Sequence, residues 1–139
     1  MPIVFFYPDK VIVLQVGDRS FQMIDYSPEK LAKKVKDEYA DIIDYILLDT
    51  SGGLGKPFEP ELMKEYLLVL KEKNPEIGLG VAGGLSSTTL GILGPLVADF
   101  PDLSIDAEGR LRDQNDCLDI YLAGQYLLKS LEIFKGQSV

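Results

Sequence analysis

The chain has 139 residues, with 22 acidic against 14 basic side chains, one cysteine and no histidine, for a formal charge of −8. Its 46 % hydrophobic and 26 % charged content is globular rather than disordered, and the length suits one compact domain. The lone Cys117 excludes an internal disulfide and a multi-cysteine zinc site, the lack of histidine removes the commonest metal ligand, and the acidic balance argues against a nucleic-acid or membrane-surface partner. The apolar runs fall short of the ~18–20 residues that span a bilayer, and no charged-then-apolar leader opens the sequence, so a cytoplasmic protein is expected.

The opening Ile3-Val4-Phe5-Phe6-Tyr7 reads as an extra strand or a short edge piece, cut off by Pro8-Asp9. Val11 to Val16 is a continuous apolar run broken only by Gln15, which predicts a strand buried on both faces as in parallel sheets. Ser27-Pro28-Glu29 then supplies a capping serine with proline at the first helical position, followed by Leu31, Val35 and Tyr39 at four-residue spacing. A second strand, Tyr45 to Asp49, ends in the loop Thr50-Ser51-Gly52-Gly53-Leu54-Gly55-Lys56-Pro57-Phe58. Pro60 opens a helix with Leu62, Met63, Tyr66, Leu67 and Leu70 on one face, and Asn74-Pro75 stops it.

Ile77 to Ala82 is the third strand, turning at Gly83-Gly84, after which Ser86 and Ser87 are expected to cap a helix reaching about Ala98. Leu103 to Asp106 is the fourth strand, leading into Ala107-Glu108-Gly109-Arg110. A last helix is expected from about Asp116 to Phe134, with Leu118, Leu122, Tyr126, Leu127 and Leu131 as its apolar positions and a frayed tail from Lys135. Strand starts near 11, 45, 77 and 103 repeat after 34, 32 and 26 residues, the signature of βα units with right-handed crossovers. No linker divides them, so the reading is a single α/β domain over residues 1–139.

Ligands of parallel βα architectures sit at the carboxyl ends of the strands. Those ends carry Asp49, then the loop with Gly52, Gly53, Gly55 and Lys56; Gly83-Gly84; and Asp106 through Arg110. Gly83-Gly84-Leu85-Ser86 before a helix has the composition of a phosphate cradle, and equally of a tight turn that needs positive φ. Asp49 closes an apolar strand, where a carboxylate is costly unless paired or functional; it reads as a general acid or as a loop-bracing side chain. Lys56 and Arg110 could neutralise a substrate anion, or be simply solvated. Gly78-Leu79-Gly80-Val81-Ala82-Gly83 matches the dinucleotide fingerprint literally, but its glycines fall inside the expected strand, so the match is set aside. Cys117 has no histidine to activate it and reads as a structural thiol, while a receiver-like role for Asp49 lacks an acidic pair before its strand.

Leu47-Leu48-Asp49 with the loop through Gly52-Gly53-Leu54-Gly55-Lys56 and Phe58, then Ala82-Gly83-Gly84-Leu85, then Ile105 to Leu111 resemble phosphoribosylanthranilate isomerase, in order, over residues 45–113. The resemblance implies a TIM-type (β/α)8 barrel catalysing the Amadori rearrangement of N-(5-phosphoribosyl)anthranilate in tryptophan biosynthesis, without metal or cofactor. By this likeness Asp49 matches the general acid. Gly83, Gly84, Ala107, Gly109 and Arg110 form the phosphate site, and Gly52, Gly53, Gly55 and Lys56 the substrate loop. Nothing matches the family's catalytic cysteine, Leu54 replaces a threonine, serines and threonines at 86–89 replace a capping asparagine, and Glu108 puts a negative charge beside the phosphate unless Arg110 offsets it. Four βα units make half of an eight-stranded barrel, so the expectation is an incomplete barrel closed by an identical chain, a partner chain or an N-terminal half missing upstream. The alternative is a sugar-phosphate-binding half-barrel subunit that does no catalysis.

Overall fold

The computed structural model describes residues 9–49 and 58–136. Its centre is a four-stranded parallel sheet: β1 (Val13–Val16), β2 (Tyr45–Asp49), β3 (Gly78–Ala82) and β4 (Ser104–Asp106). The spatial order is β1-β2-β3-β4, the same as the order along the chain. Helices intervene: α1 (Asp18–Met23) and α2 (Pro28–Lys34) after β1, α3 (Pro60–Lys73) after β2, α4 (Gly94–Asp99) after β3, and α5 (Ile120–Lys135) after β4. Among the described residues no helix is long and apolar enough to cross a membrane.

The register explains the layering. Leu14, Ile46 and Leu79 lie side by side, as do Val16, Leu48, Val81 and Ile105, because parallel partners point to the same face. Ile46, Leu48 and Val81 are fully buried there, in one core with Leu31 and Val35 behind α2, Met63, Leu67 and Leu70 of α3, and Leu96 and Val97 of α4. The opposite face carries Val13, Tyr45 and Gly78 in one row and Gln15, Leu47, Gly80 and Ser104 in the next. No described helix packs there, so helices cover one face and leave the other open. Among the described residues β1 is an edge strand, which departs from expectation, and Val11 and Val13 remain 66 % and 53 % exposed. An apolar run shows only that side chains are greasy. It does not show that both faces have partners.

Local rules hold where the chemistry is local. Ser27 Oγ accepts from the Lys30 N–H at 3.3 Å and caps α2, with Pro28 in the first turn. A π-helical turn, Val35–Tyr39, prolongs α2 and had no sequence signal. α3 starts and stops where Pro60 and Asn74 predict, and Asn74 is buried, its side-chain amide donating to the Ala32 carbonyl at 3.2 Å to tie α3 to α2. α1 is a short helix that the sequence did not announce, since six residues carry too little periodicity.

Two helix expectations need correction. Ser86 and Ser87 cap nothing: residues 86–89 form a hydroxyl-braced turn, a 3-10 turn follows at Leu90–Leu93, and α4 starts only at Gly94-Pro95. The last helix begins at Ile120 rather than 116, capped by Asp119, which accepts from the Leu122 N–H at 3.0 Å. Ahead of it, Arg112 and Leu118 pair as an isolated antiparallel bridge and Asp116 takes φ 59°, which places exposed Cys117 in a turn. Of the expected apolar positions on this helix only Tyr126 is buried; Leu127 and Leu131 are exposed, as is Leu118 before it. Lys135 is the last helical residue rather than the start of the tail. The 3–7 segment lies outside the described residues.

Candidate functional site

The carboxyl ends of β2, β3 and β4 lie level, since Asp49, Ala82 and Asp106 are in register. Asp49 and Asp106 thus share the open face on either side of Ala82, two strand spacings or about 9–10 Å apart at the backbone. A cavity of about 400 Å³ opens beside them. Its wall is Gln15, Asp49, Ala82 to Leu85 and residues 106–110, which brings Asp49, Gly83, Gly84, Ala107, Gly109 and Arg110 to one place. Gly52, Gly53, Gly55 and Lys56 lie outside the described residues.

Each wall has a local cause. Gly83 and Gly84 take φ 112° and 66°, conformations that side chains with a Cβ rarely adopt, so the chain can turn sharply off β3. Thr89 Oγ1 accepts from the Ser86 N–H at 2.8 Å and donates to the Gly84 carbonyl at 3.0 Å, which braces that turn in place of a helix. The glycine turn consequently has no helix N-terminus directly behind it, contrary to the sequence reading. Residues 109–111 form a 3-10 turn that projects from β4 and holds Arg110 on the rim.

The electrostatics are mixed. Asp49 is half-buried, and the Gln15 side-chain amide donates to its Oδ2 at 3.3 Å. Gln15 was missed because, within an apolar run, it reads as strand filler; its position directly beside Leu47 on the open face appears only with the register. Glu108 pairs with Arg112 at 3.0 Å, and Arg112 also reaches Asp116 at 3.0 Å. Arg112, not Arg110, therefore offsets the Glu108 charge, and the Arg112 pKa is raised by its hydrogen bond to Asp116 and by both carboxylates. Among the described residues Arg110 forms no ion pair, which leaves its guanidinium available to an anion in the cavity. No group of three or more carboxylate or thiol side chains is arranged, among the described residues, to hold a metal ion.

Chemically the site offers a carboxyl group held by an amide, a glycine turn, an exposed arginine and a second aspartate across one strand. Such a set suits a small hydroxylated anion. No protein-family model, curated protein or solved structure matches the chain.

Proposed function

We propose that this chain is a half-barrel relative of phosphoribosylanthranilate isomerase, with its ligand site on the carboxyl rim of the sheet. The observation that carries the reading is the single cavity shared by Asp49, the Gly83-Gly84 turn and the 107–110 loop, three motifs far apart in sequence. The barrel assignment is supported by consecutive strand order and one-sided helices, since doubly wound sheets place helices on both faces. In this reading the phosphate of a phosphoribosyl aminobenzoate rests on the Gly83-Gly84 and Ala107-Gly109 backbone with Arg110 as counter-charge. Asp49 protonates the ribose ring oxygen while a base removes the C2 proton, and Gln15 orients the Asp49 carboxyl through its amide.

A second reading, binding without turnover, is favoured by the cavity's own composition. Cys117, the sole thiol, lies outside the wall, and Asp49, Asp106 and Glu108 outnumber Arg110. Incubation with N-(5-phosphoribosyl)anthranilate separates the two. Isomerisation gives a loss of substrate fluorescence that falls ~10²–10⁴-fold in Asp49→Asn, the usual share of a general acid. Thermal stabilisation by inorganic phosphate with no fluorescence change supports the binding subunit. Neither response overturns both.

A further inference from the structure

We propose that Asp106 is the base that removes the C2 proton, so that two aspartates from alternate strands divide the acid and base roles. The proposal rests on the isomerase reading above and names the group which that reading leaves open.

The placement comes from register. Asp49 closes β2, Ala82 closes β3 and Asp106 closes β4, and the three are level partners. Parallel partners point to the same face, so both carboxyl groups stand on the open face of the sheet. Ala82 alone lies between them, and its side chain is a single methyl group. Two strand spacings, about 9–10 Å at the backbone, leave room for a pentose over Ala82 with one carboxyl on either side. Gly83-Gly84 follows Ala82 directly and the 107–110 loop follows Asp106 directly, so a sugar whose phosphate rests on those segments has its ring beside both aspartates.

Elimination points to the same residue. A general base must present a free lone pair to the reacting carbon from within the cavity. The chain has no histidine, and Cys117 lies outside the wall. The carboxylates of the wall are Asp49, Asp106 and Glu108. Glu108 is paired with Arg112 at 3.0 Å, and Asp49 serves as the acid. Asp106 is exposed, and among the described residues its side chain forms no hydrogen bond or ion pair, so its oxygens are open to a proton.

The proton count closes within the cavity. Asp49 gives its proton to the ring oxygen as the bond from that oxygen to C1 breaks, and the nitrogen lone pair forms the C1=N iminium. Asp106 then takes the proton from C2. The C2–H electron pair becomes the C1=C2 bond, and the iminium π pair returns to nitrogen. The enol hydroxyl gives its proton back to Asp49 as C2=O forms, and C1 takes the proton held on Asp106. Both carboxyl groups end as they began, and no co-reactant is consumed.

The test compares the full chain with Asp106→Asn on N-(5-phosphoribosyl)anthranilate carrying hydrogen or deuterium at ribose C2. Loss of substrate fluorescence should slow ~10²–10⁴-fold in Asp106→Asn, the usual share of a general base. The deuterated substrate should slow this variant further, because proton removal now limits turnover. Asp49→Asn, stalled at ring opening, should show no added isotope effect. Asp106→Glu keeps a carboxylate and should recover part of the rate. Stabilisation by inorganic phosphate should persist in Asp106→Asn, which shows that the site is still assembled. Where that variant fails to fold, formate restoring turnover to Asp106→Ala supports the same role, and its failure to do so overturns it. A parent chain that isomerises while Asp106→Asn matches its rate overturns the base and leaves the isomerase reading intact. So does a slow Asp106→Asn without an isotope effect, since its defect then lies at another step. A parent chain that leaves the substrate unchanged overturns the isomerase reading and the base with it.

Discussion

Gly84 holds φ 66° and Gly83 φ 112°, and both stand on the cavity wall. An alanine at 84 must enter the left-handed region at a cost of ~1–2 kcal/mol, and at 83 it meets a region still less accessible to a Cβ. Gly84→Ala is thus expected to lower the unfolding free energy by about 1 kcal/mol in urea titration and to weaken phosphate binding in calorimetry. Paired glycines after an apolar strand are legible because glycine alone takes this turn cheaply; whether backbone donors then face a ligand is a matter of three-dimensional placement. Asp49 was legible for a related reason, a carboxylate closing a greasy run, while its partner Gln15 sits 34 positions away and carries no mark of its own. Glycines inside β3 tell a different story. Tyr45 lies across Gly78, where a Cβ would collide with the ring, and Leu47 crowds Gly80 at 3.1 Å, so these two are small because side chains of β2 lean over the open face.

At the scale of elements, α5 shows how one helix serves two environments. Tyr126 is its buried anchor, and burial together with the Asp106 carboxylate pushes its phenol up to about 12. A folded-state pKa above the unfolded one means that the unfolded chain ionises first. Tyr126 therefore contributes its full stabilisation below pH ~10, the unfolded value, and loses it as pH rises toward about 12. Tyr66 of α3 shifts the same way through burial. Urea midpoints measured from pH 8 to 11.5 should decline at the alkaline end, and Tyr126→Phe should flatten part of that decline. The start of α2 and both ends of α3 were readable because caps and prolines act within one turn, but the end of α2 and the start of α5 were not. The Asp113 side chain accepts from the Asn115 and Cys117 N–H groups at 2.8 and 3.0 Å, and this turn delays the helix to Asp119.

Among the described residues the molecule is a parallel sheet with helices on one face. Its core, built on Ile46, Leu48 and Val81 under α2, α3 and α4, is closed, whereas Val11, Val13 and Tyr45 look outward over a shallow 240 Å³ hollow. A sheet that leaves apolar side chains such as Val11 and Val13 exposed gains stability by association, and mass action then makes unfolding concentration-dependent. Thermal midpoints should rise across a hundredfold increase in chain concentration. A midpoint that stays constant for the parent chain identifies a self-sufficient monomer.

The alternation of four strands with helices, the ends of β2 and α3, the Ser27 cap and the glycine turn were all determined by sequence alone, because each depends on neighbours within a turn or on an apolar run long enough to need a core. Tertiary structure decided the rest. Register brought Gln15 beside β2 and set Asp106 level with Asp49, hydroxyl bracing displaced the helix expected after Ser86, and one-sided covering left β1 and α5 half-exposed. Pattern records which side chains avoid water; only the assembled sheet shows which of them have found a partner.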